Sequence, residues 1–299
     1  MQFINNDLLI ERKKLKRNLL IWRIFTILLL FIVLSKTSNI LLKNKANFQS
    51  DHIARIKIAE ILRYDLEKVK KLTILKNNSH VKALIIHINS PGGTLVGSEA
   101  IYKALRKIGE KVPIVAVMGD IATSGGYLVA LGSDKIFTYE GTITGSIGVI
   151  FESFEVTEML SKLGITPRAI KSSKFKATPS PFEKLEPEIE AELKNSLMTS
   201  FDVFKDIVKK RRNFNDAQLA QVANGKIFIG RDAIKLGLTD AIGGEEEALE
   251  WLKNEKKLDL EVKDYSIEAD KNELELLLDS FTNKITSYVR EVFSFKIKS

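Results

Sequence analysis

A chain of 299 residues, 44% apolar and 28% charged, has the composition of a folded protein, with length for one large or two ordinary domains. It contains no cysteine, which excludes disulfides, a thiolate nucleophile and cysteine-bound zinc, and its three histidines (His52, His80, His87) lack the paired spacing of a catalytic metal site. The formal charge of +8 invites an acidic partner such as nucleic acid, yet nine basic against two acidic residues fall within residues 1–45, so seven of those eight charges lie there and the body is close to neutral.

The basic block of residues 1–18 abuts Leu19 to Leu34, LLIWRIFTILLLFIVL, apolar except for Arg23 and Thr26. Sixteen helical residues reach about 24 Å against a hydrocarbon core of about 30 Å. Arg23 can snorkel toward headgroups and Trp22 suits the interface. Basic charge ahead of the apolar run predicts a cytoplasmic N-terminus over 1–18 and a single-pass anchor over 19–35 in the inner (cytoplasmic) membrane. The body is then extracytoplasmic, and membrane lipid is a partner. Ile24 to Leu34 also has the length of a secretory signal's apolar region, but no small-x-small cleavage site follows, so a retained anchor is the expectation.

Residues 36–50 are polar, rich in lysine and asparagine, and read as a linker; residues 51–299 form the body. Ile53 to Ile61 places apolar residues at Ile56, Ile58 and Ile61 in strand fashion, and Leu66 to Leu75 reads as a short helix. Ala83 to Ile88, ALIIHI, is a near-continuous apolar run that stops at Asn89, Ser90, Pro91, Gly92 and Gly93, as a buried parallel strand does at a tight turn. Leu95 to Ile108 continues as an amphipathic helix and Val112 to Met118 as a second buried strand. This order builds right-handed βαβ units with both glycine turns, Pro91 to Gly93 and Ser124 to Gly126, on one edge of a parallel sheet.

Lys135 to Tyr139 reads as a short strand, Gly141 to Gly148 as a flexible turn, Glu155 to Leu163 as a helix, and Arg168 to Ile170 as a strand before the loop Lys171 to Pro181. A long helix follows over Pro187 to Arg212, acidic at its start and closing on Lys209, Lys210, Arg211 and Arg212, the charge order that suits its dipole. That basic cluster reads as a solvated helix face, since no aromatic platform accompanies it, and no nucleic acid is expected as a partner. Asn272 to Val292 carries an amphipathic stripe from Leu274 to Val292, a C-terminal helical extension suited to packing on a partner.

The chemistry centres on Met118 to Tyr127, MGDIATSGGY, where Ser124 lies on a glycine-rich turn between an apolar strand and a helix. Serine is a poor nucleophile until a neighbouring base takes its proton. No histidine follows Ser124. A lysine is then the base, and the chemistry narrows to a Ser/Lys dyad.

At these turns the chain resembles the signal peptide peptidase A family, membrane-bound Ser/Lys peptidases with the Clp protease and crotonase type of fold. The resemblance rests on Asn89 to Gly93 (NSPGG), Ala122 to Tyr127 (ATSGGY), Thr144 to Val149 (TGSIGV), Phe175 to Phe182 (FKATPSPF) and Asn224 to Gly244, covering Ile53 to Leu252. Clp-type enzymes also carry NSPGG and a serine turn, but need a histidine downstream. The resemblance implies an α/β fold of stacked βαβ units and Ser124 as nucleophile. It implies the amides of Gly93 and Gly125 as oxyanion hole, with Gly92 as the other glycine able to serve there, Lys176 as general base and Ser146 as the residue that holds its amine. It further implies apolar peptide substrates such as signal-peptide remnants, a homo-oligomeric ring, and no cofactor or metal. Lys171 and Lys174 share the loop of Lys176. A lysine must be desolvated to act as a base near neutral pH, and Phe175, Ala177, Pro179, Pro181 and Phe182 could supply an apolar setting. Thr123 stands where the family commonly has alanine. A crotonase-like acyl-CoA enzyme and an inactive membrane scaffold are the competing readings.

Overall fold

The computed structural model describes residues 50–268 and, ahead of them, residues 18, 22, 23 and 26–28. Most of the anchor predicted over 19–35 and all of the stripe of Asn272 to Val292 lie outside the described residues. Among the described residues no helix is long and apolar enough to cross a membrane. The chain divides into two units, Met1–His52 and Ile53–Ser299.

The second unit is built on an eight-stranded sheet: β1 (His52–Ile58), β2 (Val81–Ser90), β3 (Ile114–Thr123), β4 (Lys135–Thr138), β5 (Ile143–Gly145), β6 (Ile227–Ile229), β7 (Ala241–Ile242) and β8 (Val262–Asp264). The main path runs β6-β5-β3-β2-β1-β8, with β4 paired to β3 and β7 to β4. β3 is long enough to pair with β4 along Val115 to Met118 and with β5 along Ile121 to Thr123. The β2–β3, β3–β4, β3–β5, β4–β7 and β1–β8 pairings are parallel, but β5–β6 is antiparallel, so the sheet is mixed rather than purely parallel. Both β5 and β6 fall at one end of the path.

The middle of β2, Ala83 to Ile88, is apolar but for His87 because the sheet is covered on both faces. Leu84, Ile86 and Ile88 enter the larger core with Leu72 of α1 (Leu66–Asn77), Ile101 and Leu105 of α2 (Leu95–Gly109) and all but the glycines of α3 (Gly125–Ala130). Ala83 and Ile85 point the other way, onto Ala248 and Leu252 of α8 (Glu245–Lys256). Each such burial is worth about 1.5–3 kcal/mol, which makes β2 and β3 the rigid base from which the turns project.

Between α3 and α8 lie α4 (Thr157–Lys162), α5 (Pro187–Arg212), α6 (Asp216–Val222) and α7 (Gly230–Lys235). Four expectations need correction. Gly141 to Gly148 is not all turn, since it holds β5, whose Thr144 is buried and donates to the Ala122 carbonyl at 2.8 Å. Arg168 to Ile170 forms no strand; Ile170 is fully exposed and has no sheet edge beside it. The basic end of α5 is not simply solvated. Arg211 donates to the carbonyls of Leu131 and Ser133, and Arg212 to those of Gly237 and Thr239 and to Asp240, so both tie α5 to the turns after α3 and α7. Ile61, placed in the first strand by its apolar character, is 63% exposed, because β1 ends at Ile58.

Candidate active site

β2 and β3 end side by side, and each runs into a glycine turn at its carboxyl end, Ser90 standing opposite Ala122 after an irregularity at Ile88. The turns are joined by side chains whose part the sequence did not disclose. The Ser90 hydroxyl donates to the Glu60 carbonyl and accepts the Gly92 amide at 3.1 Å. Thr123 Oγ1 donates to the Pro91 carbonyl at 3.1 Å, which gives a purpose to the residue that departs from the family pattern.

The turns then approach at backbone distance. A methyl added to Gly92, whose φ is +106°, would stand 2.7 Å from the Gly125 nitrogen; one on Gly93 would stand 2.0 Å from the Leu62 oxygen; one on Gly125 would stand 2.1 Å from Ser98 Oγ and 3.1 Å from the Gly93 nitrogen. Glycine is therefore required here by close approach as well as by conformation. The Gly92 amide is spent on Ser90, whereas the amides of Gly93 and Gly125 donate no hydrogen bond among the described residues. Of the two glycines of the first turn, Gly93 is the one with a donor to offer.

Ser124 is the N-cap of α3, at φ 51° and ψ −120°. A serine held in that region costs of order 1–3 kcal/mol and persists only where its surroundings fix it. They do so here: its amide donates to the Gly145 carbonyl at 2.8 Å and its carbonyl accepts from Leu128 at 3.0 Å. All six residues of α3 are buried. Tyr127 donates from its hydroxyl to the Leu238 carbonyl at 2.9 Å, and burial pushes that hydroxyl well above the usual phenol range, so it stays a donor at any physiological pH. The half-buried Ser124 faces a cavity of about 360 Å³ shared with Gly93 and Gly125 and walled by Ile61, Leu95, Leu128, Val149, Ile150 and Phe204.

Ser146 follows Gly145 and is a second non-glycine residue at positive φ, 51°, with its amide donating to the Lys226 carbonyl at 2.7 Å. Because Gly145 pairs with Thr123, Ser146 lies at the end of β5 beside the end of β3 that carries Ser124. Lys176 is not brought into this group. It is exposed, it does not line the cavity, and its amine makes no hydrogen bond or ion pair among the described residues. Phe175 and Phe182 are 46% and 54% exposed, so the apolar setting expected around that amine is absent from the single chain. The neighbouring lysines are engaged: Lys171 pairs with Glu183, and Lys174 pairs with Glu188 and lies over the Phe175 ring. Among the described residues no group of three or more His, Asp or Glu side chains could hold a metal ion.

An α/β sheet thus brings two glycine turns, a strained serine and two amides without a partner among the described residues to one cavity. The sequence model of Clp protease matches residues 54–140, and that of Peptidase family S49 matches residues 106–259, just over half of the chain. The chain belongs to peptidase family S49, the signal peptide peptidase A family. It is 39% identical over 194 residues to "Putative signal peptide peptidase SppA" of Enterococcus faecium, covering 64% of this chain and 56% of that protein. It is 37% identical over 201 residues to "Putative protease slr0021" of Synechocystis sp., covering 67% and 72%. A solved structure of a ClpP1 mutant from Listeria monocytogenes matches with a TM-score of 0.46 at 16% identity, over 69% of this chain and 98% of that one.

Proposed function

We propose that the protein is a membrane-anchored, extracytoplasmic serine endopeptidase that hydrolyses short apolar peptides such as signal-peptide remnants, with a Ser/Lys dyad and no cofactor. The observation that carries this reading is Ser124 held in a strained conformation beside two amides, Gly93 and Gly125, that have no hydrogen-bond partner among the described residues. Ser124 Oγ attacks the scissile carbonyl carbon, the developing oxyanion takes those two N–H groups, and the departing amine leaves an acyl-serine that water hydrolyses. The apolar cavity walls suit an apolar substrate side chain. A crotonase-type acyl-CoA reading would use the same amides but has no use for a strained serine.

Lys176 is the base in this proposal, since Lys171 and Lys174 already hold carboxylates. Its amine is exposed on the single chain, so the dyad closes when the loop is carried to a Ser124 and buried there by association of copies into a ring. Ser146 then holds the amine by a hydrogen bond. Ser124→Ala should abolish hydrolysis of apolar peptides while leaving circular dichroism and assembly unchanged. Turnover near the parent rate in the purified variant would remove Ser124 from the mechanism.

A further inference from the structure

We infer that Arg63 is a specificity-determining residue that selects substrates bearing a carboxylate, an inference that rests on the peptidase reading of the same cavity. Among the described residues Arg63 is the one charged residue lining the cavity that holds Ser124. Its backbone is pinned. Leu62 donates to the Gly92 carbonyl and accepts from Thr94, both at 2.7 Å, and α2 begins so close that a methyl on Gly97 would stand 2.5 Å from the Arg63 carbonyl carbon. The segment therefore holds Arg63 at the mouth beside the oxyanion amide of Gly93.

The guanidinium itself is unspent. Arg55, Arg106, Arg212 and Arg231 each pair with a carboxylate of this chain, whereas Arg63 has no hydrogen bond or ion pair among the described residues. A guanidinium presents a rigid fork that matches a carboxylate with two parallel hydrogen bonds. Two sources offer that chemistry: the free C-terminal carboxylate of a fragment already cut by another peptidase, and an aspartate or glutamate side chain within a longer peptide.

The test uses the full chain and two matched pairs of short apolar peptides. In one pair the C-terminus is a free acid or an amide; in the other, both amidated, one internal position is Glu or Gln. The parent should favour the carboxylate member of one pair by about tenfold in kcat/KM, as a charge-assisted contact would give. The pair that responds identifies the source. In Arg63→Gln that ratio should fall to near one, and Arg63→Lys should restore part of it with a stronger dependence on salt. No preference in either pair by the parent, or a preference that survives Arg63→Gln, would overturn the inference. Anisotropy with fluorescent versions of the same peptides, on Ser124→Ala and on the Ser124→Ala/Arg63→Gln chain, separates this from the peptidase reading. If nothing is cleaved but binding to the first chain shows the ratio and binding to the second loses it, Arg63 stands and the catalytic assignment falls. Absence of the ratio in binding removes Arg63.

Discussion

At the scale of single residues, the site is defined by which polar groups are spent and which are not. The Gly92 amide is used, the Gly93 and Gly125 amides are not, and of three lysines in one loop only Lys176 lacks a carboxylate partner among the described residues. Lys176→Ala should therefore abolish peptide hydrolysis. Lys176→Arg should do nearly as badly, because a guanidinium keeps the charge but does not release its proton. Lys171→Ala and Lys174→Ala should retain most activity, measured as initial rates on an apolar peptide; a dead but folded Lys174→Ala chain would show that the base is misassigned. The place of Ser124 on a turn between a strand and a helix was legible from its glycine context. The choice of Gly93 over Gly92 was not, because it depends on where the Ser90 hydroxyl points, and Arg63 was invisible because nothing local marks an unpaired arginine.

At the scale of elements, the short terminal strand β8 pairs with β1 through the backbone, packs Val262 against the core, and adds an ion pair across the two strands. Arg55 donates to Asp264 at 2.6 and 2.8 Å and to Glu245 at 2.7 Å. The first of these bonds holds the Asp264 carboxyl below the usual carboxylate range. A carboxyl more acidic in the folded than in the unfolded chain contributes stability above its unfolded pKa, about 3.9, and loses it as pH falls through the lower folded value. The carboxylate is 65% exposed, so screening limits the contribution to about 1 kcal/mol or less. Asp264→Asn should lower the urea midpoint at pH 7 and converge on the parent as the pH falls through the lowered pKa of Asp264. A gap that persists undiminished in acid would assign the effect to packing. The long buried strands and α5 were legible from run length, turn residues and end charges. β5, β6 and β7 were not, since two or three residues carry too little period to register; they are strands because β3 offers an edge to β5, β5 to β6, and β4 to β7.

At the scale of the whole molecule, the stretch from Ile150 to Leu185 leaves Ile150, Phe151, Phe154, Leu163, Ile165 and Ile170 each at least half exposed, and no residue of α4 is buried. So much apolar surface in one segment marks an interaction surface, and that segment carries Lys176. Light scattering on the full chain in detergent should give the mass of an assembly of several copies. Full activity in a strictly monomeric sample would refute the ring. The predicted orientation, with the body outside the cytoplasm, should expose residues beyond 48 to protease added to spheroplasts; protection until lysis would reverse it.

The central claim is that Ser124 is a nucleophile activated by Lys176. Labelling of the full chain with a fluorophosphonate serine reagent, followed by peptide mapping, tests it most directly. The account predicts a single label on the peptide containing Ser124, formed by the parent and lost in both Ser124→Ala and Lys176→Ala. Label on another serine, or undiminished label on Ser124 in the Lys176→Ala chain, would contradict it.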